Sequence, residues 1–181
     1  MKYEKEVIMF ERLDTPKDLF QYKLGSALSM EHDSLAMLGD LEGAAQRQDL
    51  KQLFRTHAEE TRQQITNLQR IFEILRTEVD RSPSPTTQGL AKEGKSTLRK
   101  AATELADAVA VSGALETEHY EIAVYQTLIA TAEANVGWEE IATLLKQNLS
   151  QEKAASEKLQ TAGEEIARQA AQSVQGGNTP V

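Results

Sequence analysis

Apolar residues recur every three or four positions along four long segments of the chain, which is the spacing of amphipathic helices. The first segment begins at "DTPKDLF". There Thr15 can cap a helix, Pro16 suits its first position, and Asp18 has the spacing of a capping box. The apolar stripe comprises Phe20, Leu24, Ala27, Leu35 and Leu38. We therefore predict a long first helix that ends near "EGAAQRQ", a stretch typical of a tight turn.

The same spacing predicts three further helices. The second starts at a cap on Asp49, and its stripe extends to Leu75. The third covers "ELADAVAVSGALETEHYEIAVYQTLIATAEA", and Gly137 in "NVGW" supplies the turn that follows it. The fourth runs from Trp138 to about Ala171. Short turns therefore join helices one and two, and likewise helices three and four.

The connection between the second and third helices is long. "DRSPSPTTQG" contains helix-breaking prolines and a glycine, and irregular chain continues to about residue 100, with room for one short helix around "LAKEGKSTL". Such a connection can carry the chain back along a bundle. We predict an all-α, ferritin-like antiparallel four-helix bundle with one long crossover between helices two and three. It occupies residues 15–172, between an N-terminal extension of residues 1–14 and a flexible C-terminal tail of residues 173–181.

The composition favours helix and excludes several kinds of chemistry. Aromatic residues make up 5% of the chain, and good helix formers dominate it. With no cysteine, the chain can form no disulfide, thiolate nucleophile or cysteine-ligated zinc site. A net charge of -8 repels phosphate backbones, so nucleic acid is not an expected partner. Without a long apolar run or a start that resembles a secretory signal, we expect a cytoplasmic protein that does not contact membranes.

Carboxylates interrupt the apolar stripe at least once in each predicted helix. They are Glu31, Glu60, Glu118 and Glu152. Counted from the hairpin turns, all four lie at the same height within about one helical turn. His57 precedes Glu60 by three residues and lies slightly off that level, and His119 and Glu121 flank Glu118. The pattern leaves open which of Glu118, His119 and Glu121 faces inward.

A buried layer of carboxylates is costly unless the groups are protonated or neutralised by a cation. Carboxylate oxygens and imidazole nitrogens suit Fe, Mn or Zn, and bridging carboxylates can hold two ions close together. The layer therefore predicts a dinuclear metal site. Two other interpretations stay open: the glutamates are solvated rim residues, or they form a metal-free network with His57, Gln64 or Tyr125.

Three stretches resemble a known family. They are "LFRTHAEETRQQITNLQRIFEIL" (53–75), "ETEHYEIAVYQTLIATAE" (116–133) and "LLKQNLSQEKAASEKL" (144–159). The runs H-x-x-E-T-x-x-Q and E-H-Y-E-I-A-x-Y are distinctive together, and the similarity extends over about residues 15 to 160. The chain resembles the YciE/YciF-like family of ferritin-like, stress-associated bacterial proteins.

This resemblance implies a homodimer of four-helix bundles with a dinuclear iron site. The metal ligands that it implies are Glu31, His57, Glu60, Glu118, His119, Glu121 and Glu152. Ferritin-like di-iron sites carry Glu-x-x-His on the second and fourth helices. This chain has Glu60-x-x-Gln63 and Glu152-x-x-Ala155 instead, so a rearranged or vacant site is the alternative.

Two functions fit these observations. The first is a ferritin-like stress-response protein whose carboxylate site binds metal ions and handles iron or reduced oxygen species. The second is a non-catalytic helical stress protein that acts through self-association or a protein partner, with a degenerate or vacant metal site. Whether the chain is an enzyme is left open by the sequence.

Overall fold

A computed structural model describes residues 12–176 of the chain, with side chains for residues 12–172. This part contains five α-helices, a short 3-10 turn at Thr103–Leu105 and no strand. The helices are α1 (Pro16–Ala44), α2 (Gln48–Leu75), α3 (Pro85–Lys100), α4 (Ala106–Glu133) and α5 (Glu139–Gly176). The prediction of an all-α protein is confirmed. No helix within residues 12–176 is both long and apolar enough to cross a membrane.

Helix α1 begins with the predicted capping box. The Thr15 side chain accepts a hydrogen bond from the Asp18 amide at 3.1 Å, and the Asp18 carboxylate accepts one from the Thr15 amide at 2.9 Å. These two bonds satisfy backbone donors that a helix start leaves free. The helix then continues through "EGA" to Ala44, so the turn to α2 is shorter than predicted.

The predicted cap of the second helix is wrong. Helix α2 starts at Gln48, Arg47 occupies the N-cap position, and no side chain caps it. Asp49 instead lies inside the first turn and pairs with the Arg47 guanidinium at 2.6 Å. Asp107 closes the turn from α4, because its carboxylate accepts hydrogen bonds from the amides of Gln46 (2.6 Å) and Arg47 (3.3 Å).

The four long helices form a ring in which neighbours run antiparallel. Helix α1 packs against α2 and α4, and α5 packs against the same two helices. Asp107 ties the start of α4 to the end of α1. Arg70, near the end of α2, reaches Glu140 at the start of α5 at 3.4 Å. These contacts set the middle of each long helix opposite the middle of its neighbours.

The long connection contains a fifth helix, which is longer than the short helix for which the sequence left room. Helix α3 has 16 residues and packs on the outside of α1 and α4. It begins at Pro85, where a proline fits the first turn of a helix. The connection therefore covers one seam of the ring with ordered helix, rather than crossing it as irregular chain.

The apolar core is divided into two parts by a polar layer. One part surrounds Leu24, Leu68 and Ile141, and the other surrounds Leu41, Phe54 and Leu159. Between them lie buried polar side chains that belong to all four long helices. Each end of the bundle is thus held by hydrophobic packing, while the middle consists of groups that need partners.

Gly137 adopts the positive φ of 86° that the predicted turn before α5 requires.

The described residues cover only part of the predicted terminal segments. Helix α5 extends to Gly176, past the predicted start of a tail at residue 173. The predicted extension lies outside the described residues except at residues 12–14, and the rest of the predicted tail lies outside them as well.

Candidate metal centre

Buried charged side chains occupy the middle of each long helix, and they are acidic in α1, α4 and α5 and a histidine in α2. In α4 the buried stripe consists mainly of small and polar residues, so Ala114, Glu118, Glu121 and Tyr125 lie on one face. These positions are three or four residues apart, which keeps them on one side of a helix. Small residues beside Glu118 and Glu121 allow both carboxylates to reach the bundle axis.

Four side chains meet at this level. They are His57 from α2, Glu118 and Glu121 from α4, and Glu152 from α5. Each offers one nitrogen or oxygen atom, and these four atoms lie within 4.8 Å of one another. All four residues are at most 2% exposed.

His57 lies at the centre of the group. Its Nδ1 is 3.1 Å from Glu60 Oε2, and its Nε2 is 3.1 Å from Glu118 Oε1 and 3.4 Å from Glu152 Oε2. Burial lowers the pKa of His57, but the three carboxylates raise it by more, so the imidazole is held as a cation. The pKa of Glu60 is lowered in turn by this contact.

The carboxylates of the group have too few partners. Both oxygens of Glu121, both of Glu152 and Oε2 of Glu118 are buried without a hydrogen bond, and so is Nε2 of His57 despite its nearby carboxylates. Burial raises the pKa of Glu118 to about 8 against the pull of His57. Burial, followed by the charges of Glu152 and Glu31, raises the pKa of Glu121.

This donor set fits a transition metal ion. Free carboxylate oxygens and one imidazole nitrogen are the ligand types that Fe, Mn and Zn accept. Glu60 on Nδ1 also matches the usual arrangement in which a metal-bound histidine donates its other N–H to a carboxylate. An ion on Nε2 would replace the proton there and neutralise the surrounding oxygens.

Glu31 belongs to a neighbouring network of hydrogen-bonded side chains. It accepts a hydrogen bond from the Tyr125 hydroxyl, which in turn accepts one from Asn148 Nδ2 at 2.9 Å. Asn148 also accepts a hydrogen bond from Asn67 at 2.7 Å. Burial raises the pKa of Glu31, and the charge of Glu152 adds to it, while the other oxygen of Glu31 has no partner.

Two predicted ligands are placed elsewhere. The Glu60 side chain is 28% exposed and contacts the group only through His57. His119 faces solvent on α4, so the prediction that it could complete the site as a nitrogen donor does not fit this geometry. The reason is that each residue turns a helix by about 100°, and Glu118 already points inward. The metal-binding role of the other residues stays a prediction.

The sequence pattern missed Asn148 and Asn67. Both are buried, and Asn148 connects α5 to α2 and α4. A signal was present, because Asn148 lies three residues after Leu145 and four before Glu152, at inward spacing. Leu149, at the next position, is only partly buried.

Comparison with known proteins places the chain in a family. Residues 15–172 match the model of a domain of unknown function, DUF892. The chain belongs to this DUF892 family. Its similarity to the protein YciF of Escherichia coli (strain K12) is 33% identity over 149 residues, which covers 81% of this chain and 89% of YciF. The YciF-like resemblance seen in the sequence is therefore confirmed.

Two solved structures share the fold. The E. coli stress protein YciF superimposes with a TM-score of 0.81 and 31% identity, covering 86% of this chain and 99% of YciF. YcfI from Rhodopseudomonas palustris, provisionally described as a structural protein, superimposes with a TM-score of 0.79 and 37% identity. That match covers 84% of this chain and 98% of YcfI. The two superpositions therefore show that this chain has the helical fold of YciF and YcfI.

Proposed function

We propose that this DUF892 protein is a ferritin-like stress-response protein that binds a pair of transition metal ions, most suitably iron, in the middle of its helical bundle. The single observation that carries the proposal is the buried set of carboxylate oxygens and one imidazole nitrogen without hydrogen-bond partners. Such groups are costly in a protein interior unless a cation or protons neutralise them. Residues 15–172 would form the metal-binding unit.

The ligands divide into two overlapping sets. His57, Glu118, Glu121 and Glu152 would hold one ion, since their donor atoms already meet. Glu31 would help to hold a second ion beside Glu121 and Glu152, because the charge of Glu152 raises the pKa of Glu31 and the charge of Glu31 raises that of Glu121. When bound, such a pair supplies Lewis acidity and redox capacity toward reduced oxygen species.

The remaining residues of the site orient the ligands and keep the centre dry. Glu60 fixes the ring of His57 through Nδ1, so that Nε2 points at the carboxylates. Tyr125 and Asn148 hold one oxygen of Glu31 and leave the other free. The apolar cores above and below exclude water, which strengthens every charge interaction between them.

The proposed setting is a cytoplasmic homodimer that handles iron or reduced oxygen species under stress. The similarity to the E. coli stress protein YciF supports the stress setting. The family resemblance implies the homodimer, and the proposed location follows from the expectation drawn from the sequence. The acidic net charge of -8 suits a protein that attracts cations.

The experiment is anaerobic loading with Fe(II), followed by gel filtration and metal analysis. We expect about two ions per chain for the unmodified protein and a loss of at least one of them in the isosteric double variant Glu118→Gln/Glu152→Gln. Glu116→Gln, on the exposed side of α4, is the matched control and should bind as the unmodified protein does. Equal and negligible iron in all three proteins would overturn the proposal.

A second function is favoured by the internal hydrogen bonds of the layer. Glu31, Tyr125, Asn148 and Asn67 bond to one another without metal, and raised pKa values let Glu31 and Glu118 carry protons. A non-catalytic protein that acts through self-association or a partner would need only this network. It predicts the same melting temperature with and without Fe(II), whereas metal binding predicts a rise.

A further inference from the structure

A cleft between α2 and α5 opens at the surface and is bordered by His57, a member of the candidate metal centre. It has a volume of about 270 Å³ and is lined on the α2 side by residues that include Thr56, His57 and Glu60. Ala155 and Lys158 line it from α5. His57 therefore faces two environments, with Nδ1 toward Glu60 at the cleft and Nε2 toward the buried Glu118 and Glu152.

The seam between α1 and α4 offers less access than the α2–α5 cleft. Helix α3 covers the seam between α1 and α4. The clefts described on the α3 side and around the start of α1 contain none of the candidate ligands. Among the acidic residues of the layer, Glu60 alone has substantial solvent contact, with 28% of its side chain exposed, whereas Glu118 and Glu152 have at most 1%.

Small side chains keep the cleft open. Ala155 follows Glu152 by three residues and is buried at the α5 side of the cleft, where a larger side chain would extend toward His57. Thr56 lies at the exposed side of the opposite wall. Both positions line the cleft that His57 borders, so bulkier side chains there would narrow it.

Charge at the cleft is of both signs. Asp49 is already paired with Arg47, so Glu60 is the carboxylate that faces His57 from the cleft, and Lys158 is the opposing cation. A carboxylate at a passage raises the local concentration of divalent cations, and an ammonium group lowers it. Passage through the cleft should therefore respond to both charges, in opposite directions.

We propose that the α2–α5 cleft is the passage through which divalent first-row metal ions reach the buried His57–Glu118–Glu152 group, with Glu60 attracting the ion and Lys158 opposing it. This inference rests on the proposed metal binding. It adds the path of the ion and the residues that set its rate.

A passage has a kinetic signature that a structural role lacks. An obstacle along the only path raises the barrier equally for arrival and departure, so both rate constants fall by the same factor and the equilibrium affinity is unchanged. A residue that merely shapes the ligands changes the affinity instead. The two roles are separable by measuring both rates.

The test uses the metal-free chain and Co(II), whose visible absorption reports its ligand environment. Stopped-flow mixing gives the association rate, and chelator competition gives the dissociation rate. We expect Thr56→Phe to slow both rates by about tenfold at unchanged affinity. Ala155→Leu is a second obstruction, and it should also slow both rates at unchanged affinity. Unchanged rates in both variants at full Co(II) stoichiometry would overturn the passage, and so would a change in affinity alone.

The charges provide an independent arm of the same experiment. Lys158→Gln should speed association by about threefold to tenfold at low salt, with the gain diminishing as salt screens the charge. Lys153→Gln, an exposed lysine on the same helix, is the matched control and should have no effect. Equal effects of the two lysine variants would overturn the charge assignment. Failure of the unmodified chain to bind any Co(II) would instead overturn the proposed function, and this inference with it.

Discussion

Asn148 joins three helices through one side chain. From α5 it donates to the Tyr125 hydroxyl of α4 and accepts a hydrogen bond from Asn67 of α2, all in buried surroundings. A buried polar group that loses its partner costs more than the hydrogen bond contributed, because it is not rehydrated. The polar layer is therefore sensitive to this residue as well as to its carboxylates.

We predict that Asn148→Leu lowers the free energy of unfolding by about 1–3 kcal/mol, because Asn67 loses its acceptor and Tyr125 loses a donor. Urea denaturation of the metal-free protein measures this change. Gln147→Leu, at the neighbouring exposed position, should stay within about 0.5 kcal/mol of the unmodified protein. Equal changes in both variants would show that the layer does not depend on Asn148.

The sequence alone does not determine which residues of α4 face the interior of the bundle. The pattern offered Glu118, His119 and Glu121 without choosing among them, because neighbouring residues on a helix differ in direction by about 100°. The buried stripe of α4 includes Ala114, Thr117 and Tyr125, which carry little hydrophobic signal. The larger apolar residues Leu115 and Ile122 of the same helix are only partly buried. Three-dimensional packing was needed to place the stripe.

Helix α3 contrasts with the four long helices at the scale of the element. Its only buried residue is Thr87, and its sequence contains Gly89 and Gly94. With so few buried apolar positions, the periodicity does not predict a helix of 16 residues, and the sequence indicates only a short one there. Helices α1 and α2 were predictable because each has many buried apolar positions at constant spacing. The capping box at Thr15 was predictable because it depends on local sequence alone.

Two glycines should respond oppositely to alanine. Gly94 lies inside α3 with no atom within 4 Å of an added Cβ, so Gly94→Ala should stabilise the protein by about 0.5–1 kcal/mol. At Gly25 in α1 an added Cβ would lie 2.9 Å from Asp80 Oδ2 and 3.2 Å from its backbone oxygen. Gly25→Ala should therefore destabilise by about 1–3 kcal/mol. Calorimetric melting of both variants tests the pair, and shifts of the same sign would contradict it.

For the whole molecule, the polar layer links stability to pH. The folded pKa of Glu118 is about 8 against an ordinary 4.5, burial raises the pKa of Glu121, and the nearby carboxylates raise that of His57. Between the unfolded and folded pKa values the folded chain binds more protons than the unfolded chain. The free energy of unfolding of the metal-free protein should therefore fall as pH rises from about 4.5 to about 8.

Urea denaturation in the presence of a chelator at several pH values in this range measures that slope. We expect a loss of about 1.4 kcal/mol per pH unit for each extra proton held by the folded state. Glu118→Gln has no such proton and should show a shallower slope, while Glu116→Gln, whose position is exposed, should keep the original one. A stability that rises across this range would contradict the protonation of the layer.

The arrangement of α3 gives the molecule two unlike sides. On one side α3 covers α1 and α4, and on the other side the α2–α5 cleft is exposed. If two copies associated through α2 and α5, the α2–α5 cleft of each copy would be covered. If they associated through α3, both clefts would stay exposed to solvent. The geometry of assembly would then decide whether the interior stays in exchange with its surroundings.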